Sequence, residues 1–296
     1  MAVTTELIKI VRERSGAGML DCKKALEACD CDVDKACDWL REKGIAKAAK
    51  KASRIAAEGI CSIKVEGNKA VIIEVNTETD FAAKSDVFKA LVVDITNNLL
   101  EGAPANLEAA LALEVNGTTI DETLKAATGQ IGEKLSLRRV DVLHKTDDQS
   151  FGSYIHMGGS IGTIVVVNGA NKEDVAKDIA MHTAASNPSY VSRDDIPASF
   201  IENETHIQME AAKVDPKLQG KPENVLKGIV AGKVNKSLSE ICLLDQPFVK
   251  DPSVTVAQFA KNNGASVVTA VRYGVGEGIE KRQENFADEV MKQING

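Results

Sequence analysis

The sequence predicts an α+β protein: a small helical domain, then a core of two related strand–strand–helix–strand subdomains. Three observations carry this. Apolar residues recur at helical spacing through the first 44 positions, with no strand pattern among them. Two hairpin-like patterns, each followed by an amphipathic helix and a later strand, appear in the same order, as an internal duplication would give. The 296 residues suit about two domains, and a hydrophobic share of 44% is enough to build cores.

The first predicted helix covers residues 5–14, with Leu7, Ile10 and Val11 on one face. Ser15-Gly16-Ala17-Gly18 breaks it. A second helix covers 19–29 and turns Cys22, Ala25, Leu26 and Cys29 inward. Asp32 caps a third, which carries Val33, Ala36, Cys37 and Leu40 and is expected to stop at Gly44. By its size and glycine-rich first turn this bundle resembles a ubiquitin-associated domain. The Ala- and Lys-rich stretch that follows reads as a solvated helical linker. No aromatic or glycine-rich element accompanies its lysines, so it is not read as a nucleic-acid surface.

Strands at 60–65 and 70–75 join across Gly67-Asn68. The polar stretch NTETDFAAKSD then leads to a helix that Ser85 caps, with Val87, Phe88, Leu91, Val92, Ile95 and Leu99 as its apolar face. Helical stretches at 107–113 and 124–135 precede a strand at 137–143. In the second unit, strands at 153–156 and 161–167 flank Met157-Gly158-Gly159, a helix covers 172–185, and the matching strand is 265–273. Inserted in this unit is a helical hairpin. Its first arm covers 198–213 and ends at Asp215-Pro216; Gly220-Lys221-Pro222 restarts the chain into an arm bearing Val225, Leu226, Ile229 and Val230. The sequence leaves open whether this hairpin folds on the body or projects for partner contact. A last helix is expected at 279–293. The predicted divisions are 1–54 (helical domain and linker), 55–143 (first core subdomain), 144–278 (second core subdomain, with the insert at 196–236) and 279–296 (C-terminal helical module).

A net charge of −7 argues against direct nucleic-acid binding, which needs a basic face. No apolar run nears the ~20 residues that span a bilayer. The chain starts directly in an amphipathic pattern bearing Glu6, with no signal-peptide h-region. The expectation is a soluble, cytoplasmic protein. Cys22, Cys29, Cys31, Cys37, Cys61 and Cys242 lack C-x₂-C zinc spacing, and Cys22, Cys29 and Cys37 fall at helix-face positions, which reads as small buried hydrophobes in a reducing compartment. No metal or cofactor is expected. The string at 274–278, GVGEG, lacks the third glycine of a dinucleotide fingerprint, because Ile279 stands there. The string at 228–233, GIVAGK, is one residue short of a phosphate loop, and Val234 replaces its hydroxyl residue. His144, His156, His182 and His206 belong to no catalytic or metal motif; His182 reads as a packed core residue. The chain is expected not to be an enzyme.

Thr77-Glu78-Thr79-Asp80-Phe81 stands apart. A phenylalanine in a polar loop either anchors its own loop or forms a preformed aromatic wedge beside a carboxylate. Five segments then carry a resemblance: RERSGAGMLDCKKALEA (12–28), NTETDFAAK (76–84), MHTAASNP (181–188), QPFVKDP (246–252) and GEGIEK (276–281). In this order they resemble the elongation factor Ts family. The resemblance implies a ubiquitin-associated-like domain, two related α+β subdomains, a helical-hairpin dimerisation insert and a C-terminal helical module. It implies a guanine nucleotide exchange factor that binds the GDP form of elongation factor Tu, displaces magnesium and promotes GDP release during translation elongation. Its residues carry over as Thr79, Asp80, Phe81 and Ala82, the loop that enters the partner near magnesium. Arg12, Met19 and Leu20 would grip the nucleotide domain, and His156 would face another partner domain. Leu20 stands where the family often has methionine and Ala82 where valine is common. The competing readings are a ubiquitin-associated-type scaffold without exchange activity and a small-molecule enzyme using the glycine-rich strings.

Overall fold

The computed structural model describes residues 2–219 and 221–280. The expected closing helix falls, beyond its first two residues, outside these.

Helices α1 (Thr5–Ser15), α2 (Met19–Ala28) and α3 (Val33–Lys51) pack around Val11, Cys22, Ala25, Leu26 and Ala36, all fully buried. On α1 the inward face is Leu7, Ile8 and Val11; Ile10 faces water, contrary to the expected stripe. The stop at Gly44 does not occur either. α3 continues to Lys51, and Gly44 serves a different purpose. It lies against Gly129, where an added Cβ would meet the Gly44 Cα at 2.7 Å. Two bare backbones let the helices approach closely, which offsets the roughly 1 kcal/mol that a mid-helix glycine costs.

β1 (Glu58–Glu66) and β2 (Lys69–Thr77) form the first hairpin. After it come α4 (Asp80–Lys84), α5 (Asp86–Gly102), α6 (Leu107–Ala112), the small ladder β3 (Glu114–Val115) with β4 (Thr118–Thr119), α7 (Ile120–Ile131) and β5 (Ser136–His144). α7 starts earlier than predicted because Thr119 and Glu122 form a capping box. Val87 on α5 is exposed rather than inward; Phe88, Val92, Ile95, Leu99 and Leu100 form the buried face.

The second half contains β6 (Gln149–His156), β7 (Ile161–Asn168), α8 (Glu173–Ser186), α9 (Ala198–Val214), α10 (Glu223–Ile241), β8 (Pro247–Phe248), β9 (Asp251–Thr255), α11 (Val256–Asn262) and β10 (Ser266–Gly274). The β8–β9 ladder and α11 were not anticipated. Thr255 and Gln258 form the capping box that starts α11. α9 and α10 pack on each other around Ala212, Val230, Val234 and Leu238, a cluster of their own.

Two antiparallel three-stranded sheets result, ordered β1-β2-β5 and β10-β7-β6. β2 is buried on both faces. Val71, Ile73 and Val75 meet Phe88, Val92, Ile95 and Leu99 of α5 and Leu124 of α7. Ala70 and Ile72 point the other way and join Cys61, Phe151, Ile164, Val166 and Tyr273 between the sheets. β7 does the same in mirror fashion, with Val165 and Val167 under α8 and α11. The period-2 alternation of strands thus makes a helix–sheet–sheet–helix stack.

One charge sits in this inter-sheet layer. Glu74 follows Ala70 and Ile72 on the same face and is fully buried. Its carboxylate accepts from Arg139 Nε (2.5 Å), Gly276 N (2.8 Å), Asn76 Nδ2 (3.0 Å) and Arg138 Nη1 (3.1 Å). Arg139 also donates to the Gly274 carbonyl at 2.7 Å and lies 4.2 Å from the Tyr273 ring centre. Arg138 donates to the Glu277 carbonyl. Burial alone would push the Glu74 pKa up; the donors from Gly276, Asn76 and Arg139 outweigh it, so the carboxyl titrates below its usual range.

Two outcomes follow from this packing. Gly129→Ala drives a methyl into the α3 backbone and should cost about 1–3 kcal/mol. It should also expose Lys50 and Lys51 to trypsin; unchanged cleavage would contradict the close crossing. Glu74→Gln strands two arginines that are about a quarter exposed, and should cost about 3 kcal/mol by denaturant unfolding. Because the folded pKa is lowered, the Glu74 contribution is complete above the unfolded value near ~4.3 and is lost as pH falls through the folded value. The substitution should therefore flatten the acid side of the stability profile.

Candidate functional site

Phe81 is 85% exposed, at the second position of α4. The reading in which it anchors its own loop is therefore excluded. Nor is its segment a plain loop. Thr79 takes an extended backbone and its hydroxyl accepts the Ala82 N–H at 3.2 Å, starting the helix. Ser85 Oγ donates to the Ala82 carbonyl at 2.7 Å and ends it. Ala82 and Ala83 face inward. Ala82, expected at the partner surface, is buried: one residue on from Phe81 the helix has turned by about 100°, which carries the Ala82 methyl toward the body.

Asp80 is exposed and pairs with Lys84 one turn on, at 2.6 Å. The Lys84 ammonium holds its carboxyl below the usual range. The acid beside the aromatic ring is half of an ion pair rather than a lone charge.

Beneath α4 lies the junction between α7 and β5. Glu133 accepts from Thr79 Oγ1 (2.7 Å), Thr79 N (2.9 Å) and Thr77 Oγ1 (2.9 Å). In return Glu78 accepts the Lys134 N–H at 2.6 Å and pairs with Arg54 at 3.2 Å. Lys134 Nζ donates to the Arg54 carbonyl, and Lys51 Nζ to that of Gly132.

The second sequence-predicted element is the β6–β7 turn. His156 is partly buried, and its Nδ1 lies 3.0 Å from the Tyr154 hydroxyl. The next residue, Met157, is 81% exposed on a left-handed backbone, φ 44°. Sequence reasoning passed over it; the signal was a large apolar residue leading a glycine pair at a hairpin tip. Cys61 N donates to the Gly159 carbonyl at 2.7 Å and ties the turn to β1. Asp80 and Lys84 from α4 and Met157, Gly158 and Ser160 from the turn line one groove of about 380 Å³. Residues far apart in sequence thus flank a single concavity.

Arg12, Met19 and Leu20 are all exposed, Leu20 by 76%, at the end of α1 and the start of α2. They do not line the groove. Gly16, between them, abuts the side chain of Gln130 on α7. The end of α7 therefore supports both the α1–α2 corner, through Gln130, and the Phe81 helix, through Glu133.

Other candidates resolve structurally. The string at 228–233 lies inside α10. Gly276 takes φ 72° and gives its N–H to Glu74. His182 is fully buried; its Nδ1 accepts the Val249 N–H at 3.1 Å, so Nε2 carries the proton toward Gln246 Oε1 at 2.9 Å. Burial lowers its pKa. Burial likewise pushes the Cys61 thiol up to about 12. Among the described residues, no three or more His, Cys, Asp or Glu side chains are placed to hold a metal ion. Among the same residues, no helix is long and apolar enough to cross a membrane.

Fold and site define a class first: a two-sheet α+β protein that presents exposed apolar side chains on capped, rigid elements. The sequence model of the Elongation factor TS family matches residues 78–277, more than half of the chain. The chain belongs to that family, and its role is that of a translation elongation factor. The matched stretch contains Thr79, Asp80, Phe81, Ala82 and His156 and begins after Arg12, Met19 and Leu20.

Proposed function

We propose that this protein is a guanine nucleotide exchange factor for elongation factor Tu, acting in the cytoplasm and performing no covalent step of its own. It binds the GDP form and favours a conformation in which the magnesium and phosphate contacts are broken. The observation that carries this is Phe81: a large apolar ring, 85% exposed, on a helix fixed at both ends. A soluble protein gains nothing by holding a phenylalanine in water, whereas a binding protein gains a preorganised anchor.

Magnitudes say what else is needed. A 10⁴-fold loosening of nucleotide requires roughly 5.5 kcal/mol of differential binding. Burying one phenylalanine supplies about 1.5–3 kcal/mol. Phe81 must therefore act with a broad second contact. Met157 across the groove and Arg12, Met19 and Leu20 on the helical domain are exposed for that purpose. Asp80 keeps its carboxylate available to accept hydrogen bonds, but Lys84 offsets its charge, so repulsion of phosphate is a minor part of the mechanism. Coupling is reciprocal: bound nucleotide weakens the exchange factor's hold to the same extent that the exchange factor weakens that nucleotide's, and incoming GTP expels the exchange factor by mass action. In this reading α1–α3 are a ubiquitin-associated-like docking module of the two-subdomain architecture, and the α9–α10 hairpin is where the complex dimerises.

Release of fluorescent GDP from elongation factor Tu tests the proposal. Wild-type protein should accelerate it, and Phe81→Ala should lose about 10- to 100-fold of that acceleration while still binding the partner. No acceleration by wild type would leave the scaffold reading in its place. Equal acceleration by both proteins would move the mechanism to the broader contact.

A further inference from the structure

We propose that Glu133 is a positioning residue for exchange: it sets the place and tilt of the helix that carries Phe81. The inference rests on the exchange reading above.

α4 has five residues. Isolated helices shorter than ~12–15 residues are marginal in water, so α4 cannot hold itself and its orientation is imposed from outside. Its C-terminal end is fixed by Ser85, which also caps α5. Its N-terminal end depends on Thr79, whose hydroxyl accepts the Ala82 N–H and donates to Glu133 Oε1. Giving its proton to a carboxylate makes that hydroxyl a stronger acceptor, so Glu133 strengthens the cap it touches. The other carboxylate oxygen takes the Thr79 N–H and the Thr77 hydroxyl, which fixes the backbone leaving β2.

Glu133 is itself well placed to act as a datum. It lies between α7 and β5, and the next residue, Lys134, gives its N–H to Glu78. The two neighbouring chain segments therefore grip each other through a carboxylate from each side. The Glu133 carboxylate bonds to Thr77 and Thr79, ahead of the helix, so its influence on the Phe81 ring runs through position.

The test is a double-mutant cycle on GDP release with Glu133→Ala, Phe81→Ala and the double variant, plus Glu133→Gln. Glu133→Ala should slow catalysed release roughly tenfold. It should have almost no further effect on Phe81→Ala, and Glu133→Gln, which keeps the shape and part of the bonding, should fall between wild type and alanine. In the free protein, the Thr79 and Ala82 amides should exchange with solvent faster in Glu133→Ala while the β2 amides keep their protection. Equal slowing in the wild-type and Phe81→Ala backgrounds, or unchanged Thr79 and Ala82 exchange, would overturn the assignment. If wild type itself does not release GDP, the exchange reading fails, and the amide measurement alone still decides whether Glu133 sets this helix. Should Glu133→Ala fail to fold, Glu133→Gln carries the cycle in its place: its slowing of release should likewise vanish in the Phe81→Ala background, and equal slowing in both backgrounds would overturn the assignment.

Discussion

The buried carboxylate of Glu74 is the constraint on which the rest depends. An unpaired charge in the apolar layer between two sheets would cost several kcal/mol. Here it is met by two arginines, a backbone N–H and an amide; the arginines come from β5, and the N–H from the chain just after β10. Apolar packing alone would let one sheet slide over the other, because dispersion and hydrophobic burial are not directional. Hydrogen bonds to a single carboxylate are directional. They fix the β5 strand against the 274–277 segment, and so fix one subdomain against the other. The cluster orients the sheets rather than adding net stability, since replacing a whole buried ion-pair cluster by well-packed apolar residues is often neutral or stabilising.

That fixed frame explains why the groove exists. Its walls come from α4 in the first subdomain and the β6–β7 turn in the second. Neither wall is large enough to position itself. α4 leans on Glu133, and the turn leans on β1 through Cys61 and Gly159. A small rotation between sheets would open or close the groove, so the geometry presented to a partner depends on residues outside the groove, Glu74 fully buried and Glu133 partly so.

A second line of support runs to the helical domain. α3 does not end where its glycine suggests; it continues across α7, with Gly44 on Gly129 and Lys51 on Gly132. The α1–α2 corner rests on Gln130. The exposed residues of that domain are therefore held at a defined place relative to Phe81, which suits the proposed exchange reaction: binding energy spread over several contacts can only do work on a partner if those contacts are rigid relative to one another.

The sequence by itself determined the α+β class and the order of the main helices and strands, because periodicity and turn chemistry are local and survive without knowledge of neighbours; the family was legible separately, in the resemblance of five short segments. It also singled out Phe81, since an aromatic residue in a polar string is visible as composition. It misjudged Gly44, because a glycine that ends a helix and one that lets two helices touch read alike until the second helix is in place. The resemblance carried Ala82 into the partner-facing loop with its neighbours, and a one-turn helix is too short for its sequence pattern to show that Ala82 turns inward. Sequence reasoning gave no role to Glu133 or Glu74 and saw in Met157 only a turn residue. Their roles come from partners 54 to 202 residues away or from exposure at a turn, and such pairing is decided only when tertiary packing brings distant charges and backbone donors within hydrogen-bonding reach.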